Sequence, residues 1–170
     1  MSISVFDILH PLLLQHLRNM EVWLDKIEQH CQQQSVEPGV YLSARLHPEM
    51  FEFRRQLQIA CDHAKGAMAR LTGSELPTYP DNEQTTSELK QRIQKTSAFV
   101  TSFQRGDFTG AEERTIQLTY PWQTYDFNGL TYLHYWVLPN FLFHVNMAYA
   151  ILRQAGLNIG KVDYLGPVPA

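Results

Sequence analysis

The chain has 170 residues, 44% of them apolar, enough to bury one core without disulfide or metal staples, so a single domain over residues 1–170 is expected. Fourteen basic residues against 17 acidic ones leave a net charge of −3, which argues against a basic, phosphate-binding stripe and so against a nucleic-acid partner. Cys31 and Cys61 are too few for a disulfide framework, and the apolar N-terminus is interrupted by Asp7, His10 and His16, with no basic start or cleavage site. The expected location is cytoplasmic, with no membrane partner.

From Val5 to about Gln34 the apolar residues Leu9, Leu12, Met20, Trp23 and Ile27 recur at helical spacing, with Ser4 as N-cap. Pro11 lies inside this first helix and predicts a kink or a later start near His10. SVEPGVYLSARL follows as a connector, because Pro38 and Gly39 break the period. A second helix is expected to open at Pro48 and to end before Gly73, with Ala60, Ala64, Gly66, Ala67 and Ala69 slimming its surface. After GSELPTYPDNEQ, whose Asp81 and Glu83 read as capping or solvating residues, Thr85 and Glu88 form a capping-box pattern. They open a third helix carrying Leu89, Ile93, Phe99, Val100 and Phe103.

Between Gly106 and Gly129, β-forming residues around Pro121 predict a short β-hairpin or an ordered loop. Asn128 and Gly129 introduce a fourth helix from Leu130 to Leu152, which Pro139 should kink. The tail LNIGKVDYLGPVPA has too many Gly and Pro residues to be helical and is expected to lie over the helices, anchored by Tyr164 and Leu165. Four long helices and one small β element predict an all-α, four-helix bundle, in which sites form from inward polar side chains.

No histidine pair has H-x-x-x-H spacing, so no ready-made zinc motif exists. Asn140 and His144 share one face of the fourth helix, one turn apart, among Phe141, Leu142, Phe143 and Val145. Partners must come from a neighbouring helix or, for Asn140, from a backbone carbonyl freed at Pro139. His16 sits where the first helix's apolar stripe wants a hydrophobe and so is expected to face inward. Asp62, beside His63, needs a cation such as Lys65, Arg70 or Arg92. Cys61 reads as buried and inert.

Depth tests whether these residues meet. With the second and fourth helices antiparallel, His63 and His144 lie roughly 22 and 18 Å from the matching ends, at about 1.5 Å per residue. With the first and fourth parallel, His16 lies roughly 17 Å from Val5, in the layer of Asn140 and His144. His30 and His47 fall outside that layer. A site of three histidines, or two with a carboxylate, would suit Zn²⁺, Ni²⁺ or Fe²⁺.

LPNFLFHVNMAYAILRQAG, NIGKVDYLG and RLHPEMFEFRRQLQIACDHAKGAMARLTGSELP carry a resemblance over nearly the whole chain. The sequence resembles a family of uncharacterised proteins, catalogued as a domain of unknown function, within the DinB/YfiT-like superfamily. That resemblance implies a bundle with up-down-down-up connections and frequent homodimers. It also implies a divalent metal held by one histidine of the second helix and an H-x-x-x-H pair of the fourth, in members that include thiol transferases, isomerases and hydrolases. The matching positions here are His63, Asn140 and His144. Asn140 stands where a histidine is expected, and an amide is a much poorer ligand for Zn²⁺.

Two functional readings follow. One is a homodimeric small-ligand or interaction module, metal-free or weakly metal-binding, with Asp62 and Asn140 as ligand-contacting residues beside His144. The other is an enzyme using one divalent ion held by His16, His63 and His144. The missing histidine at position 140 ranks the first above the second.

Overall fold

The computed structural model describes residues 3–168 and is mostly helical, with one small antiparallel sheet. Helix α1 spans Val5–Gln34, opened by a reciprocal capping box between Ser4 and Asp7. Pro11 lies inside α1 without delaying its start. The buried stripe runs through Leu9, Leu13, Leu17, Met20, Leu24 and Ile27, so Leu12 and His16 border it, half-buried.

The expected connector holds a one-turn helix, α2 (Gly39–Leu42), that buries Tyr41 and Leu42. Helix α3 covers Phe53–Thr72 and stops on left-handed Gly73. It begins five residues after Pro48, because the donors a longer helix needs are already engaged. Met50 donates its N–H to the His47 carbonyl (2.9 Å) and Phe53 donates to that of Ala44 (2.8 Å). Helix α4 (Thr86–Thr101) opens on the Thr85–Glu88 capping box.

Two 3₁₀ turns, Arg105–Phe108 and Ala111–Glu113, lead into strands β1 (Ile116–Tyr120) and β2 (Gln123–Phe127), an antiparallel hairpin pairing Ile116 with Phe127. Tyr120, Tyr125 and Phe127 pack their rings on Trp136, at centroid distances of 5.8, 4.9 and 5.9 Å. The predicted fourth helix is three continuous pieces: α5 (Gly129–Tyr132), a π-helical turn (Leu133–Val137) and α6 (Leu138–Gln154). Pro139 has no N–H and crowds the turn before it, and the widened turn sits directly upstream. The tail forms a short helix α7 (Lys161–Leu165), contrary to its Gly/Pro content, because the Asp163 carboxylate accepts the Gly160 N–H (2.7 Å).

Facing side chains give each helix its direction. Thr86, Lys90 and Gln94 of α4 bond Glu28, Asp25 and Glu21 of α1, so these two run antiparallel. Gln58 meets Arg92, and Cys61 meets Thr96, so α3 and α4 run parallel. Gln56 meets His144 and Arg70 meets Tyr132, making α3 antiparallel to the α5–α6 rod. His16 lies near Phe141, and Trp23 near Tyr149, so α6 is parallel to α1. Among the described residues no helix is long and apolar enough to cross a membrane.

Candidate functional site between α3 and α6

His63 and His144 meet across the α3–α6 seam, their ring centroids 5.6 Å apart and their planes within 18° of parallel. Both are half-buried. Gln56, two turns before His63 and almost fully buried, donates its Nε2–H to the Phe51 carbonyl (3.1 Å), so its Oε1 faces His144 Nδ1 at 2.7 Å. A carbonyl-type oxygen only accepts, hence Nδ1 carries the proton and the Nε2 lone pair of His144 stays free.

Electrostatics keep both rings neutral. Burial lowers the His63 pKa to about 4, helped by His144 and by the positive charge of Arg70. Burial and the charge of Arg55 lower that of His144 to about 4. No carboxylate contributes to either shift.

Arg70 completes this polar stripe. Gln56, His63 and Arg70 recur every seven residues and so share one face of α3, with Gly66 between the last two. Any side chain at Gly66 would fall on the Arg70 guanidinium, which therefore lies back along the helix toward His63. Its Nη1 donates to the Tyr132 hydroxyl at 3.3 Å. Tyr132 itself is 1% exposed and ends α5 at the edge of the π turn.

The other residues singled out from sequence lie elsewhere. Asn140 shares the α6 face of His144, but its amide donates to the Trp136 carbonyl in the turn disturbed by Pro139 (2.7 Å). His16 occupies the expected layer beside Phe141, yet it faces that ring and Tyr164 (centroids 6.0 and 5.0 Å). Its Nδ1 is buried without a partner among the described residues, and burial lowers its pKa.

Asp62 points the opposite way from His63, into the α3–α4 seam, where Arg92 (2.9 Å) and Lys65 (3.1 Å) hold it. Arg70 is not its partner. Arg92 is 4% exposed and also pairs with Asp81 and Glu83, each at 2.9 Å. Glu83 is buried under Gln58 (2.8 Å), so it and Asp81 serve this network and do not cap or solvate α4. Cys61 is fully buried and its thiol is pushed up to about 12, which leaves it unreactive.

Among the described residues, no three His, Cys, Asp or Glu side chains gather as a metal ligand set. The donors in the α3–α6 seam do not complete the three-ligand pattern of a catalytic centre, and guanidinium groups flank them where carboxylates would favour a cation. Gln56 was not found from sequence, and Arg70 was singled out there only as a possible partner for Asp62. The seven-residue spacing that puts Gln56, His63 and Arg70 on one face of the helix was the available signal for both.

The model of the family described as Domain of unknown function (DUF1993) matches residues 5–165. The chain belongs to that family. A crystal structure of a DinB family member protein from Shewanella denitrificans is similar to it, with a TM-score of 0.90 and 37% identity over 98% of this chain and 94% of that one. The DUF1993 chain therefore has a DinB-like fold. Among curated proteins none matches it.

Proposed function

We propose that this DUF1993 protein is an up-down-down-up four-helix bundle that serves as a small-ligand-binding module, with no tightly held metal, built around His63 and His144. The order of facing pairs between helices supports the bundle topology. One observation carries the functional reading: Asn140, where the resemblance places the third ligand, has no imidazole to offer and its amide is held to its own helix by an Nδ2–H bond to the Trp136 carbonyl. Two neutral imidazoles beside cationic Arg55 and Arg70 offer donors and lone pairs to an organic ligand, and little to a dication.

A second reading, a divalent-metal-dependent enzyme, has in its favour the free Nε2 of His144, oriented through Nδ1 as metal-bound histidines are. Isothermal titration with Zn²⁺ and Ni²⁺ separates the two. The wild type should show weak binding, and Asn140→His should tighten it by at least about tenfold by adding an imidazole one turn from His144. Stoichiometric metal in chelator-free wild type, lost in His144→Ala, overturns the first reading. The working unit is proposed to be a cytoplasmic homodimer, and sedimentation velocity tests that assembly.

A further inference from the structure

We propose that the α3–α6 site recognises a small monocarboxylate, held by the Arg70 guanidinium beside the ring of His63. This names the ligand class for the small-ligand reading above and rests on it.

Charge bookkeeping points to an anion. Arg70 is half-buried, and among the described residues it makes no ion pair; its bonded partner is the neutral Tyr132 hydroxyl. The remaining basic side chains of α3 differ in this respect. Arg54 is paired with Glu52, Arg55 with Asp81, and Lys65 with Asp62. A partly desolvated cation without a counter-ion is costly, and an incoming anion removes that cost. One uncompensated charge matches one negative charge, so a dianion such as phosphate would leave the seam with an excess.

Geometry points to a carboxylate. The guanidinium presents a planar fork suited to two carboxylate oxygens. Tyr132, immobilised in the core, fixes Nη1 from one side, and bare Gly66 lets the group lie about one turn from the base of His63. Neutral imidazoles add donors without adding charge. The π turn beside Tyr132 is a kind of helix distortion that recurs at functional sites.

Propionate, with propionamide as its neutral isostere, serves as the probe, and binding is read by calorimetry and by chemical-shift changes of the His63 and His144 rings. Wild type should bind propionate saturably, at least about tenfold more tightly than propionamide, as a charge-assisted pair requires. Arg70→Met should weaken propionate by about tenfold or more. Gly66→Ala keeps the charge, moves a flexible side-chain end and favours the helix, so it should fold normally yet bind propionate more weakly. Arg18→Met, on exposed α1 surface, should change nothing.

Equal binding of propionate and propionamide at the histidines overturns charge recognition while leaving the small-ligand site standing. Absent propionate binding, or binding indifferent to Arg70→Met, also overturns the inference. The metal titrations above decide the broader reading separately.

Discussion

At the scale of single residues, the two imidazoles between α3 and α6 make acid sensitivity a property of the fold. Folded His63 and His144 titrate at about 4, against an ordinary value of 6.5 for the unfolded chain. Between those values the unfolded chain binds more protons, so stability rises with pH through the window and falls as pH drops from about 6.5 to about 4. His10 and His16, also lowered by burial, act in the same direction. Urea unfolding over this range should show that slope in wild type and a clearly shallower one in His63→Gln/His144→Gln. An unchanged slope in the double variant would refute the assignment. The meeting of these histidines was legible from depth alone, since antiparallel helices place equal distances from matching ends in one layer. The direction each side chain takes was not: Asp62 and His63 are neighbours in sequence, but about 100° of helix turn sends one to Arg92 and the other to His144.

At the scale of elements, capping chemistry was the most readable signal. The N-cap expected at Ser4 and the Thr85–Glu88 box open α1 and α4 where predicted, and in the structure Asp7 completes a second box at Ser4, each satisfying backbone donors with side chains close in sequence. Pro48 misled for the same local reason: a proline suited to a first helical turn is equally suited to the turn that His47 and Met50 close. Long-range contacts decide the remaining boundaries. Gly129, the first residue of α5, is buried where any side chain would strike the Ala111 carbonyl oxygen, so α5 seats directly on the Ala111–Glu113 turn. Neither partner is flexible. Gly129→Ala should therefore cost about 1–3 kcal/mol despite alanine's better helix propensity, measured as a lower urea midpoint. An unchanged or raised midpoint would mean that the turn yields and that this seat does not position α5.

At the scale of the whole molecule, the C-terminal strap closes the seam between α1 and α6. Among the described residues, its side-chain bonds to other elements go to α1: Gln15 donates to the Leu165 and Pro167 carbonyls, Asn19 to that of Tyr164, Trp23 to that of Asp163, and Lys26 pairs with Asp163. Tyr164 packs against His16, Trp23 and Tyr149, whereas Leu165 stays 46% exposed, so only the first of the two expected anchors is one. Gly166 makes the closure feasible, since its φ of +71° suits glycine and a side chain there would fall on Asn19 and Gln15. Gly166→Ala should release the strap at a cost of about 1–3 kcal/mol and speed hydrogen exchange at the Trp23 indole N–H, now bonded at 3.1 Å to Asp163. Full protection of that indole in the variant would show that α7 is held by something other than these bonds. Because the strap bonds to α1 while Arg70 and the paired histidines belong to the α3–α6 seam, the two should behave as independent sites. Propionate affinity in Gly166→Ala should then match wild type, and a loss there would reveal that the strap's closure of one seam sets the spacing of the other.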